Sequence, residues 1–222
     1  YSSAASDVYK RQAYEECLQY AREEHVDGVV TATEFAVLTA SYVANKMNLP
    51  GLDFEVAKLV KSKYEIRKKM QEKYITNVPQ FYEVSKIEEL YEIKDKIKFP
   101  IILKPCSGLG SLYVYKIDDF ETLMQKIQEV INGSFNGRAL IETFIEGQEY
   151  GIESFVYNGK VHILAIMKKN MTNLPYRSEL GHSTPSELPR EIESKIEEIV
   201  SRLIRETGIK NGLITFSQNM SV

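Results

Sequence analysis

The most constraining stretch of this chain is Phe99–Ile117, where an apolar strand ends on a lysine and runs into a short glycine loop that returns as strand. Ile101, Ile102 and Leu103 lead into Lys104, the loop is Cys106-Ser-Gly-Leu-Gly-Ser111, and Leu112 to Ile117 regains β-branched and aromatic character. Backbone N–H groups of a glycine turn can surround phosphate oxygens, and a lysine adds a compact charge beside them. The same residues, read blandly, form an ordinary hairpin with a surface lysine.

The element after the loop separates the common glycine-rich devices. Dinucleotide-binding and Walker-type loops pass from a strand into a helix whose N-terminus holds the phosphate. Here no helix start occurs before Asp118-Asp119, so Lys104 and its loop belong to a β-hairpin. A hairpin over phosphates resembles the glycine-rich loop of protein kinases. However, Tyr113 stands where a third glycine would sit, and no His-Arg-Asp sequence occurs downstream.

Composition narrows the remaining classes. The 222 residues are 43% hydrophobic and 27% charged, enough for a sizeable core in one or two domains. A net charge of −3 gives no general basic footprint, which argues against a nucleic-acid partner and makes any anion site local. No apolar run approaches the roughly 20 residues that span a bilayer, and the N-terminus lacks a signal pattern. The expectation is no membrane partner and a cytoplasmic location. Cys17 and Cys106 lack metal-ligand spacing and read as reduced thiols, with no histidine near Cys106 in sequence to activate it.

Both ends are unusual. Residues 1–12 carry no hydrophobic period and resemble translated sequencing-adapter read-through, so they are expected to be non-native. Ile214 to Val222 reads as a strand cut short, and the expectation is an internal fragment truncated at its C-terminus.

Between the ends, helices and strands alternate. The pattern predicts a helix over Ala13–His25, a short buried strand at Gly28–Thr31, and a helix over Thr33–Met47. Asp53 is placed to cap a helix through Val60, and Lys63–Tyr74 forms a basic helix. Pro79 introduces a strand at Phe81–Val84, a capped helix fills Ser85–Ile97, and Asp119–Ile131 is helical up to Asn132-Gly133. A long helix runs from Pro189 to Thr207.

A second group of polar residues lies in Ala139–Val156, a strand broken at Glu146-Gly147 and resumed. The backbone of such an extended linker can read an adenine edge, while a carboxylate beside it accepts ribose hydroxyls. The alternative is a solvated acidic turn between two strands.

Taken together, these residues resemble the ATP-grasp family of carboxylate–amine ligases. The resemblance runs from about Asp27 to Gly212 and is carried most by Phe99-Pro-x-x-x-Lys104-Pro with Glu142-x-x-Ile145-x-x-x-Glu149. It implies an α/β (α+β) chain with an ATP-grasp fold and a lid subdomain, preceded by the end of a pre-ATP-grasp α/β domain. The implied division is 13–62 for that preceding domain and 63–222 for the ATP-grasp domain, with the lid at approximately 97–141. By the same resemblance Lys104 contacts nucleotide phosphates, and Gly108, Gly110 and Ser111 close over them. Glu142 and the backbone at Ile145 read adenine, and Glu149 binds ribose. Lys63, in a family pattern Lys-x-x-x-Arg completed by Arg67, is a second phosphate contact. It could also belong to a solvated face with Lys61, Lys68 and Lys69.

A third group, Pro175 to Ser186, gathers Arg177, Glu179 and His182 in a polar, turn-rich loop. The family places a Glu-x-Gly-His segment near the acceptor substrate and the phosphate-transfer site, which implies a catalytic neighbourhood for Glu179 and His182. Arg177 has the bidentate fork to clamp a carboxylate or γ-phosphate. The family continues beyond Asn211-Gly212 with a magnesium-binding glutamate, where this chain has Thr215 and Ser217, so metal ligands are left unassigned.

The implied activity is an ATP- and Mg²⁺-dependent ligase that activates a carboxylate as an acyl phosphate and joins it to an amine or ammonia. Small-molecule carboxylate and amine substrates and a homodimer are compatible with it. The rivals are an ATP-grasp carboxylase using bicarbonate, a nucleotide-binding module without catalysis, and a purely structural α/β domain.

Overall fold

The computed structural model of the protein describes residues 3–76, 78–108, 110, 112–172 and 179–220. The chain opens with α1 (Ser3–Glu23), α2 (Val37–Lys46), α3 (Phe54–Lys61) and α4 (Lys63–Glu72). Leu18 and Ala21 of α1 bury against Val43 of α2 in a small core of their own. Tyr14 stacks on Tyr42 with ring centroids 5.2 Å apart. Helix α1 reaches back to Ser3, so the adapter-like stretch continues the helix that the pattern begins at Ala13.

Gly28–Thr31 is not a strand, and Val30 is 91% exposed. A short apolar run becomes a strand only where a neighbour offers its backbone. Among the described residues the first strand does not begin until Phe81.

The predicted Asp53 cap is present, Ser62 adds one that was not predicted, and the helix predicted as capped within Ser85–Ile97 starts after Glu88 without a side-chain cap. Asp53 accepts from the backbone N–H groups of Glu55 and Val56 at 2.9 and 3.0 Å, and Ser62 accepts from Glu65 at 3.3 Å to start α4. Replacing Asp53 by Ala leaves two helix-start donors to water. The expected loss is about 1 kcal/mol in urea unfolding, and Asp53→Asn should recover most of it.

Beyond these helices lie two antiparallel four-stranded sheets. The first is built from β1 (Phe81–Val84), β2 (Ile101–Pro105), β3 (Tyr115–Ile117) and β4 (Ala139–Thr143), in the order β1-β4-β2-β3. The short α5 (Glu89–Ile93) and the longer α6 (Phe120–Gly133) belong to the same unit. The helix predicted over Ser85–Ile97 is thus confined to its middle, with one turn of 3-10 helix after it at Lys94–Lys96. Strand β3 begins at Tyr115 rather than Leu112, three residues later than the β-propensity of Leu112–Val114 suggests.

Helix α6 buries Leu123, Ile127, Val130 and Ile131 against Leu103, Ile117 and Ile141 of this sheet. Their spacing sets one face of a helix toward the sheet. Each such side chain contributes about 1.5–3 kcal/mol by leaving water.

The second sheet comprises β5 (Gln148–Tyr157), β6 (Lys160–Met171), β7 (Glu179–Ser183) and β8 (Gly212–Met220), in the order β7-β6-β5-β8. Helix α7 (Arg190–Thr207) packs Ile196, Val200 and Ile204 onto Tyr150, Ile152 and Val156 of β5. It ends on Gly208 in the left-handed conformation, φ 82°, the usual helix stop. Glu179 to Ser183, predicted as loop, is the strand β7 paired with β6. Its alternation is too short and polar to announce a strand, and the pairing with β6 makes it one.

Candidate nucleotide site

The site forms where the two sheets and α4 meet, and strand register builds its centre. Strand β2 pairs with β4 so that Ile102 lies opposite Glu142 and Lys104 opposite Leu140. Lys104 and Glu142 are therefore diagonal neighbours on one face, within reach of long side chains. The Lys104 ammonium donates to Glu142 Oε1, and Arg67 Nε from α4 donates to Glu142 Oε2 at 3.0 Å. Glu142 is only 7% exposed, so two cations on one carboxylate meet the requirement that a buried charge be paired. Burial alone would raise the Glu142 carboxyl, but Lys104 and Arg67 hold it below the usual carboxylate range. The sequence assigns Lys104 and Glu142 to separate halves of a site; in the structure they are one ion pair.

Lys63, the first residue of α4, joins from the other side. Its backbone N–H donates to the Cys106 carbonyl at 3.1 Å, and its ammonium donates to the Gly108 carbonyl at 3.3 Å. Burial and the neighbouring Lys104 push the Lys63 ammonium down to about 8. Lys63 therefore does not lie on the solvated face. A destabilised cation against the loop is an attractor for an anion. Burial, its largest influence, pushes the Cys106 thiol up, which leaves it inert as a nucleophile.

Both described glycines of the loop have steric reasons. A Cβ on Gly108 would lie 3.1 Å from Pro105 Cβ, and Gly110 has φ +65°. Ser111 lies outside the described residues. Tyr113, which occupies the third-glycine position, lies against the end of α6. A Cβ on Gly133 would come within 2.3 Å of its ring.

Lys63, Lys104, Gly108, Gly110, Glu142, Ile145 and Glu149 all line one cavity of about 470 Å³. Ile145 sits on the connection between β4 and β5, whose start is pinned by the Thr143 and Phe144 N–H groups donating to Gln80 and Pro100 at 2.9 and 3.0 Å. Glu149, near the start of β5, is held by Lys169 Nζ at 3.2 Å. The same ammonium reaches Glu179 Oε2 at 2.9 Å, and His182 Nε2 lies 3.5 Å from Glu179 Oε1. Glu179 and His182 thus flank the cavity through Lys169 rather than line it. Arg177 lies outside the described residues. Sequence reasoning missed Lys169; the available signal was the lysine pair Lys168-Lys169 that follows the apolar Ile163–Met167 run.

Among the described residues no group of three or more His, Cys, Asp or Glu could hold a metal. Strand β8 contributes Ser217 to the cavity lining, and Glu142 and Glu149 are engaged by cations. A hard cation of this kind is normally bound through carboxylates with waters and phosphate oxygens.

Comparison with known proteins bears on the family and the fold. Residues 97–217, more than half of the chain, match the ATP-grasp domain family. The L-arginine-specific L-amino acid ligase of Bacillus subtilis is 27% identical over 146 residues, 64% of this chain and 35% of that protein. The crystal structure of the L-amino acid ligase from Bacillus licheniformis superposes with a TM-score of 0.81 at 27% identity, over 93% of this chain and 48% of that one. The D-alanine–D-alanine ligase of Bacillus anthracis complexed with ATP has the same fold, with a TM-score of 0.74 at 18% identity, over 94% of this chain and 68% of that one. The chain spans about a third to a half of the length of the amino acid ligases it matches.

Proposed function

The chain belongs to the ATP-grasp family, and on that premise we propose that it forms the nucleotide-holding part of a ligase that joins a carboxylate to an amine at the expense of ATP. The observation that carries this is the convergence of Lys63, Lys104, Gly108, Gly110, Glu142, Ile145 and Glu149 on one cavity of about 470 Å³. That volume lies within the range of about 300–1,000 Å³ typical of small-molecule pockets. Lys63 and Lys104 hold the phosphates, and the amides of the glycine loop cover them. Glu142, with Lys104 beside it, and the backbone at Ile145 read adenine, and Glu149 accepts the ribose hydroxyls.

Phosphoryl transfer asks of a protein mainly position and charge neutralisation. A carboxylate oxygen attacks the γ-phosphorus as the bond to the β–γ bridging oxygen breaks, giving an acyl phosphate and ADP. The amine nitrogen then attacks the acyl carbon, the C–O bond to phosphate breaks, and the nitrogen's proton passes to phosphate or water. Glu179 and His182 stand on the acceptor side of the cavity. The described residues hold no group of three or more metal-ligating side chains, and no step is assigned to the metal. Among the described residues no helix is long and apolar enough to cross a membrane.

The test is ADP release by the full-length protein, screened against amino acids and against bicarbonate. Release that depends on an amino acid or other amine supports the ligase; release that depends on bicarbonate alone replaces it with a carboxylase. ATP binding with no turnover under any pairing would leave the non-catalytic module.

A further inference from the structure

Lys169 belongs to none of the sequence motifs, yet it occupies the junction between the nucleotide cavity and the strand that carries Glu179 and His182. In the second sheet it pairs directly with His182 on β7, and on its other side it is one residue beyond the Lys168–Tyr150 pair that aligns β6 with β5. Its ammonium is shared between Glu149 Oε1 at 3.2 Å and Glu179 Oε2 at 2.9 Å. The side chain is 10% exposed, so this is a shielded bridge rather than a solvated contact.

Gly151 of β5 lies beneath both side chains. A Cβ there would stand 3.3 Å from His182 Nε2, a tight approach, and 3.6 Å from Lys169 Cε, an ordinary contact. The glycine therefore eases the approach of His182 to β5.

We infer that Lys169 is a positioning residue that orients Glu149 toward the ribose and ties that orientation to β7, so that nucleotide binding is felt at Glu179 and His182. This rests on the assignment of Glu149 to the ribose. An ammonium clamped between two carboxylates fixes both, because moving either one changes the charge balance at the other. A nucleotide whose hydroxyls donate to Glu149 draws on the carboxylate that Lys169 holds. Lys169 then shifts its share toward Glu179.

The experiment compares ATP with 2′,3′-dideoxy-ATP by calorimetry, on the unaltered chain, Lys169→Met and Lys169→Arg. The unaltered chain should prefer ATP by about tenfold, the worth of hydrogen bonds to a charged group. Lys169→Met should bind both nucleotides alike, and Lys169→Arg should restore most of the preference. A merely structural role would weaken both nucleotides together and keep their ratio. Hydrogen exchange of Glu179–Ser183 supplies the second readout: saturating ATP should slow it in the unaltered chain and not in Lys169→Met. A preserved ATP preference in Lys169→Met, or an equal exchange response in both chains, overturns the inference while leaving the ribose assignment standing. Equal binding of the two nucleotides by the unaltered chain overturns the ribose assignment and this inference with it.

Discussion

Glu142→Ala should lower the stability of the folded chain by about 3 kcal/mol, read from urea unfolding at neutral pH, the low end of what removing one partner of a buried pair costs. The substitution leaves the Lys104 ammonium and the Arg67 guanidinium close together without the carboxylate that both contact. Lys104 is 15% exposed and Arg67 27%, so water relieves part of the strain, chiefly at Arg67. The double variant Lys104→Met/Glu142→Leu should recover most of the loss, because an apolar pair carries no desolvation penalty. The single variants Lys104→Met and Glu142→Leu should therefore be far from additive with the double. Near-additive behaviour, or a loss below about 0.5 kcal/mol, would mean that the three side chains do not act as one unit. Stability recovered in this way should bring no nucleotide binding back, because Lys104, the proposed phosphate cation, is gone.

ATP affinity should fall roughly tenfold between pH 7.5 and pH 9, through deprotonation of Lys63. The sign is set by where its proton is lost. In the folded, nucleotide-free chain burial and Lys104 bring the Lys63 ammonium down to about 8, whereas an unfolded lysine keeps its proton to about 10.4. The cost of burying that charge is fully present below pH 8 and is relieved as pH rises toward 10.4. Lys63 therefore makes stability rise across that window, while it makes binding of an anion weaken. A bound polyphosphate returns the group toward its ordinary value, so binding above pH 8 takes up a proton. Lys63→Arg keeps its charge throughout and should flatten the profile. A flat profile in the unaltered chain would remove Lys63 from the phosphate site. ATP itself is fully ionised over this range and does not imitate the effect.

Much of the fold and the site is legible in the sequence because the elements concerned are set by local chemistry. The α6 apolar spacing, the Asp53 cap and the strand–lysine–glycine succession each declare themselves within a dozen residues. The cavity residues Lys63, Lys104, Glu142 and Glu149 are nameable for the same reason, being tied to short spacings in strands and helix starts. Register is not legible. Nothing local says that Glu142 falls diagonal to Lys104 across β2 and β4, so the two look like partners of a ligand rather than of each other. Lys169 escapes for a related reason, since its significance comes from β5 and β7 lying on either side of it. The error at Gly28–Thr31 has the converse cause, because apolar residues without a pairing edge remain an exposed connection.

The most direct measurement of the central claim is a calorimetric titration of ATP into the unaltered chain and into Lys104→Ala and Glu149→Ala, with folding of each checked by circular dichroism. One ATP should bind per chain, and each substitution should weaken it by about tenfold or more, as expected for a lost contact to a charged group. A folded chain that takes up no ATP, or that binds it equally well after both substitutions, would contradict the assignment of this cavity to a nucleotide.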